Sequence, residues 1–227
     1  MKKFFLIAVT LVFLLSFAAC STIMAEYAEI DDSTSPLTGI FCVAHLNEGE
    51  VLTVAIHGFH ITHPSVDELA SGSTDVVRVE VLDERIEWIN IALPPEDGLV
   101  GIDEELAATY YLHVVYSVRV LEVFQGNAEV GDIVEVMQMG GRLDNVEVIN
   151  DDMIPFALGD DLVLFLITFD FVEGLPSILS NPVQSVYRYA PSIGRAMAAN
   201  ANAELENVHP DNHLTLTLED LAQMRAR

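Results

Sequence analysis

Histidine is the residue type that this sequence concentrates most clearly. Four of the seven histidines fall between positions 45 and 63, and His57, His60 and His63 are evenly spaced. Neutral imidazole is a ligand that zinc and copper take readily in proteins. Several rings that converge on one ion form a transition-metal site. The pattern therefore raises a metal-binding hypothesis centred on His45, His57, His60 and His63.

Strand geometry weighs against this metal site. On an extended strand, His57 and His63 would share one face about 20 Å apart, while His60 would point to the opposite face. Convergence would need the chain to turn at Gly58 or to coil as a helix, with His45 contributed across a hairpin. The alternative is a partly exposed strand and turn whose histidines bind nothing.

Carboxylates are the most abundant chemical groups in the chain, which contains 35 of them. The pairs at 151–152 and 160–161 have the hard oxygens that calcium prefers, but neither lies in an EF-hand loop. In a chain this acidic, paired acids are more typical of a solvated surface. Their number also prevents spacing from selecting the two acids of a glycosidase, so a hydrolase stays an open alternative.

Motifs for catalysis or cofactor binding are absent from the sequence. It contains no Gly-x-Ser-x-Gly elbow, no His-Glu-x-x-His and no phosphate-binding glycine loop. Cys42 lies in an apolar run, where a cysteine usually acts as a small buried side chain. We therefore expect a non-enzymatic protein with no cofactor.

The segment 87–109 is the strongest candidate for a binding loop. It contains Pro94 and Pro95, and long loops in compact domains are often functional. Trp88, the sole tryptophan, lies at its start, and aromatic residues often anchor interfaces. An acidic cluster follows. The predicted binding residues are Trp88, Asp103, Glu104 and Glu105.

The net charge limits the partners. Both lysines precede Cys20, so the remainder sets eight arginines against 35 acids, a formal net charge of −27. Nucleic acids require clustered cations, and this chain is therefore not expected to bind them. Arginine-only usage on an acidic surface is compatible with a saline or alkaline exterior, since arginine keeps its charge where lysine titrates.

The N-terminus has the composition of an export signal. Lys2 and Lys3 precede an apolar run at 4–17, and small residues follow. Residues 17–20, ending in Cys20, resemble the lipobox of bacterial lipoproteins, whose cysteine is acylated. The resemblance implies a signal peptide at 1–19, lipidation of Cys20 and anchoring on the outer face of the cytoplasmic membrane. The alternative is cleavage after Ala25 and plain secretion.

The elements that must position these residues are mostly strands. Apolar side chains alternate with polar ones, as where Val77 and Val79 flank Arg78. After Val120 the alternation shifts by one residue, which predicts a β-bulge. Helices are expected at 65–70 and 217–225 because both have capping signals. The predicted strands are 40–46, 51–61, 75–86, 110–124, 133–139, 161–169 and 183–189.

The strings VLEVFQG at 120–126, VGD at 130–132, GG at 140–141 and LGDD at 158–161 carry a second resemblance. They are similar to a domain of Gram-positive lipoproteins and secreted proteins and, more loosely, to the netrin-like barrel of OB type. The resemblance implies an all-β, small OB-like barrel with an extra N-terminal hairpin and a short C-terminal helix. It carries over no inhibitory residue, since the netrin-like disulfides are absent.

These features predict a tether at 20–37, a β-barrel domain at 38–190 and a tail with a C-terminal helix at 191–227. The function expected is that of an exported, lipid-anchored cell-surface protein that binds an extracellular ligand without catalysis. An envelope protein or polymer is the expected partner, besides the membrane that holds the anchor. Metal binding through the histidine segment is the alternative.

Overall fold

Strands are the main secondary structure of the described residues. The computed structural model describes residues 41–45, 51–58, 60–91, 110–169, 174–189 and 202–226, all within the unit Thr38–Arg227. The predicted signal peptide, Cys20 and the tether lie outside the described residues. In chain order the described elements are β1 (Phe41–His45), β2 (Leu52–His57), α1 (Val66–Ser71), β3 (Asp75–Asn90), β4 (Tyr110–Gln125), β5 (Ile133–Met139), β6 (Gly141–Leu143), β7 (Val146–Asn150), β8 (Asp161–Ile167), β9 (Ser177–Leu179), β10 (Val186–Arg188), β11 (Glu206–Asn207) and α2 (Leu218–Arg225).

The larger sheet contains a Greek key. Strands β3, β4 and β5 pair antiparallel in sequence, and β8 returns to pair with β3 on its other side. This order, fourth strand beside first, defines the motif. Strand β9 then pairs with β5 in parallel and with β8 antiparallel. The sheet continues from β8 through β10 to β11.

A smaller sheet has the order β1-β2-β7-β6. The antiparallel pairing of β1 with β2 confirms the predicted hairpin. Strand β2 also pairs in parallel with β7, a strand that the sequence pattern did not predict. The prediction that β2 reaches residue 61 is wrong, because the strand ends at His57.

Register shifts bend the long β3–β4 pair. Arg78 pairs with Glu122 but Val79 pairs with Val120, so Leu121 is the extra residue on β4. The shift confirms the bulge predicted from the change of alternation after Val120. A bulge increases local twist and bends the strand, which allows one strand to contribute to two regions of a curved sheet.

The main core lies on one face of this curved sheet. Its side chains come from alternate positions of β3, β4 and β8, from single positions of β5, β9 and β10, and from the loop before β8. Tyr116 is fully buried there and packs against Phe156, with 4.6 Å between ring centroids. Burial of each large aliphatic side chain contributes about 1.5–3 kcal/mol. The innermost residues include Val77, Val79, Val118, Val120, Val136, Leu162 and Leu164.

The C-terminal helix packs on the opposite face. Thr217 accepts a hydrogen bond from the Asp220 backbone N–H, and the Asp220 carboxylate accepts one from the Thr217 N–H, which completes a capping box. Leu218, Leu221 and Met224 are buried, as the sequence predicted. They pack with Phe124, Phe165, Tyr187 and Tyr189. The described part of the tail is therefore an integral layer of the fold.

Helix α1 also begins where the sequence indicated. Ser65 accepts a hydrogen bond from the backbone N–H of Glu68, at 3.2 Å. Helices in the described residues are too short or too polar to cross a lipid bilayer.

Candidate functional site

A cavity of about 310 Å³ lies at the end of β3, beside the segment that precedes β9. Trp88 lines it with 45% of its surface exposed. The sequence-based boundary of the binding loop is wrong here, because Glu87, Trp88, Ile89 and Asn90 belong to β3. The strand is thus a rigid support for the indole. The lining residues are Arg85, Glu87, Trp88, Ile89, Asn90, Gly174, Leu175 and Pro176.

Consecutive residues of β3 line this cavity. Successive side chains of a strand point to opposite faces, so a cavity touched by residues 87–90 follows the edge of the strand rather than one face. Asn90 pairs with Tyr110, so the two ends of the connection between β3 and β4 meet near the cavity. The connection between β8 and β9 supplies the facing wall.

An ion-pair cluster organises the base of the cavity. Arg85 donates to both oxygens of Glu135, at 2.6 and 2.8 Å, and donates twice to Glu87 Oε1, at 3.1 and 2.8 Å. These hydrogen bonds raise the pKa of Arg85, and the bonds from Arg85 lower the pKa of Glu135. The forked geometry holds β3 against β5 across the intervening strand. Arg85 is consequently engaged with protein carboxylates.

His113 lies opposite Glu87 in the β3–β4 register and is buried. Its Nδ1–H donates to the carbonyl oxygen of Tyr111 at 2.9 Å. Burial lowers the pKa of His113, since desolvation disfavours the charged ring. The imidazole therefore stays neutral at neutral pH and lies buried in the β3–β4 strand pair.

His60 and His63 both contact residues of other loops. His60 Nδ1 lies 3.7 Å from Asp152 Oδ2. His63 is held through its backbone, because the Gln184 side chain accepts from its N–H at 2.8 Å and donates to its carbonyl at 3.0 Å. The ring of His63 lies next to Gly72 at the end of α1. His60 and His63 thus have different surroundings.

Backbone pairing sets the positions of the two remaining candidate ligands. His45 is in β1 and pairs with Thr53, whereas His57 pairs with Phe41 at the other end of the hairpin. Among the side chains that the structure describes, no group of three or more His, Cys, Asp or Glu residues is arranged to hold a metal ion. The metal site stays a prediction.

Some candidate residues lie outside the described ranges. These are Cys20 and the acidic residues Asp103, Glu104 and Glu105. Of the four predicted binding residues, the structure therefore places Trp88 alone. Sequence reasoning missed Arg85 and Glu135, and it had no signal for Leu175 and Pro176, which reach the cavity only through tertiary packing.

The site has the composition of a small recognition surface. Its lining combines the half-exposed Trp88, the aliphatic residues Ile89, Leu175 and Pro176, and the charged residues Arg85 and Glu87. Binding cavities commonly combine apolar walls with a few placed polar groups.

No protein-family model matches this chain, and no curated protein sequence matches it. The functional inference therefore rests on its own residues.

Proposed function

We propose that this protein is a non-enzymatic binding module held outside the bacterial cytoplasmic membrane by acylation of Cys20. The ligand enters the cavity at Trp88. The single observation that carries the proposal is the exposed indole on a rigid strand, beside a cavity of about 310 Å³. Tryptophan presents a large contact surface with little loss of side-chain entropy, which is why it is frequent in binding hot spots.

The fold supports this position for a site. We interpret the pairing order β8-β3-β4-β5-β9, with β9 returning to β8, as a closed, five-stranded barrel of OB type. OB barrels bind ligands through the connection between strands one and two and that between strands four and five. In this chain those connections follow β3 and β8. The end of β3, where the first connection begins, and residues 174–176 of the second connection line the Trp88 cavity.

The lipobox-like residues and the charge support the location and the class of partner. Acylation of Cys20 would place the domain on the outer face of the membrane, where it meets envelope proteins and polymers. A formal net charge of −27 beyond Cys20 repels nucleic acid and anionic lipid headgroups. The lipid chain, rather than charge, would therefore hold the protein at the membrane.

Site-specific photocrosslinking in living cells tests the binding role. Benzoylphenylalanine at Leu175 lines the cavity, and the same probe at Ile133, which is 55% exposed on β5, serves as the matched control. We expect adducts from position 175 that disappear when Trp88→Ala is added. Equal adducts from both positions, or adducts insensitive to Trp88→Ala, would contradict a ligand site at this cavity.

A further inference from the structure

Among the described residues, the outer half of β3 forms an open sheet edge. Strand β8 pairs with β3 only between Asp75 and Glu80. Gly159 and Asp160 extend the contact to Val81 through two backbone hydrogen bonds. From Asp83 to Asn90, the described strands pair with β3 on the β4 side alone. The cavity lies along this open part.

Hydrogen-bond direction identifies which backbone groups face outward. The Gly140 N–H donates to the Leu112 carbonyl, so Leu112 turns its backbone groups toward β5. Its neighbour His113 therefore turns toward β3, where its partner is Glu87. Since direction alternates along a strand, Ile86 and Trp88 turn their N–H and C=O groups to the open edge. In the described part of the chain, no group pairs with them.

The same edge is protected at Glu84, two residues before Ile86. The N–H of Glu84 is accepted by the Asp83 carboxylate at 2.9 Å. Proteins commonly protect exposed edges with charges and bulges, because an open edge accepts another strand. A register shift between Val81 and Asp83 provides the bulge. The accessible pairing site is consequently limited to Ile86 and Trp88, of which Trp88 lines the cavity.

Charge around the edge indicates the partner. Asp83, Glu84 and Glu87 lie on β3, Glu135 lies on β5, and Arg85 is the cation among them, which leaves a net charge of −3. Four of the five Arg85 N–H groups are already bonded to Glu87 and Glu135. The rim therefore favours a cationic partner and disfavours an anionic one.

The cavity matches part of an extended chain. A strand residue occupies about 3.3 Å along the strand, 4.8 Å between strands and 10 Å between sheets, or roughly 160 Å³. A cavity of about 310 Å³ therefore holds about two residues. Leu175 and Pro176 form the wall that faces β3, and the indole of Trp88 offers a surface for a cationic or apolar side chain.

We propose that an extended, basic segment of a partner protein adds to the edge of β3 as a further strand, hydrogen-bonded to Ile86 and Trp88. Strand addition of this kind takes affinity from main-chain hydrogen bonds and specificity from side-chain pockets. This inference rests on the proposed function, because it names the ligand chemistry for the same cavity.

Peptide binding to the full-length protein, in micelles of a detergent without a sugar headgroup, tests the inference. The probe is a blocked eight-residue peptide of alternating Arg and Val, and its control has Glu in place of Arg. We expect the Arg peptide to change the fluorescence of Trp88 and the Glu peptide to bind at least tenfold more weakly. Hydrogen exchange of the Ile86 and Trp88 amides should slow at least tenfold, while Glu87 and Ile89, already paired with β4, should not change.

Backbone N-methylation of the Arg peptide separates strand pairing from charge attraction. Methylation of the two amides that face β3 should weaken binding about thirtyfold, whereas methylation of the alternate amides should not. Equal effects in both positions would overturn strand addition. Fluorescence change with soluble peptidoglycan fragments, but not with the Arg peptide, would overturn the inference and preserve the binding function. No response to any of these probes, together with no crosslinks from position 175, would overturn both.

Discussion

Two glycines in the connection between β4 and β5 allow a matched test of how Asp75 packs against that turn. Gly126 and Gly131 both have positive φ, at 103° and 98°, in the connection between β4 and β5. A Cβ added at Gly131 meets nothing within 4 Å. A Cβ added at Gly126 would lie 2.1 Å from Asp75 Oδ1 and 2.6 Å from the Thr74 carbonyl oxygen. The two alanine variants therefore share backbone strain and differ in the steric conflict.

The contacts of Gly126 determine how much more the free energy of unfolding should fall in Gly126→Ala than in Gly131→Ala. Left-handed backbone costs an alanine about 1–2 kcal/mol, which is the full expected loss for Gly131→Ala. Gly126→Ala must also displace the buried Asp75 carboxylate. That carboxylate accepts from the Asn127 N–H at 3.0 Å and from the Thr168 hydroxyl at 3.0 Å. Loss of these bonds costs about 1–3 kcal/mol more, and we expect a total loss of about 2–5 kcal/mol.

Urea unfolding, followed by circular dichroism and separately by Trp88 fluorescence, measures both variants. Adding Asp75→Ala to Gly126→Ala should cost less than Asp75→Ala alone, because the conflict with the carboxylate is removed and only that with the Thr74 carbonyl oxygen is left. Equal losses for the two glycine variants would refute this reasoning. They would show that Asp75 does not hold the start of β3, the 126–128 turn and the end of β8 together.

Three further predictions concern anchoring, acid stability and metal. Cys20→Ala should move the protein from the membrane fraction to the medium or periphery, and unchanged membrane association in cell fractionation would contradict acylation. The lowered pKa of His113 means that the unfolded chain takes up a proton more readily than the native one. Stability should therefore fall as the pH drops below about 6.5, by at most about 1.4 kcal/mol per pH unit. In unfolding curves recorded between pH 7 and 5, His113→Gln should reduce that loss, and an identical loss would contradict the assignment. Elemental mass spectrometry of the untagged protein tests the metal hypothesis. That hypothesis predicts a near-stoichiometric transition metal, and His57→Ala or His60→Ala should abolish its binding. The peptide-binding proposal predicts instead that His60→Ala leaves ligand binding unchanged.

Local patterns predicted much of the fold. Strand β5 matches its predicted bounds, and α2 begins at its predicted cap. The bulge at Leu121 was predicted because a bulge changes which residues share a face, and that change is visible in the alternation of apolar residues. Strands β6, β7 and β9 were missed because they are short, with at most five residues each. Besides β6, the partner of β7 is β2, almost 100 residues earlier, and β9 pairs with β5 about 40 residues earlier, so these short strands depend on partners that a local pattern does not show.

The candidate site was predictable only in part. Trp88 was predicted as a binding residue because it is the sole tryptophan and lies beside a long connection. Its place on β3 was missed because residues 87–90 do not continue the clean alternation of apolar and polar residues that marks the first half of the strand. The histidine spacing suggested a common site, but the side-chain amides of Gln184 and Asn181 fix residues 61–63 to another loop.

The sequence by itself determined the β-rich class, the bulge, the capped C-terminal helix and the strongly negative charge. Each of these depends on residue type and on neighbours within one or two turns of chain. Tertiary structure alone decided that β8 leaves β3 at Glu80, so that no described strand covers Ile86 and Trp88, and that Leu175 and Pro176 line a cavity with Trp88. Those relations join residues about 90 positions apart. They follow from strand order and sheet curvature, which no local pattern encodes.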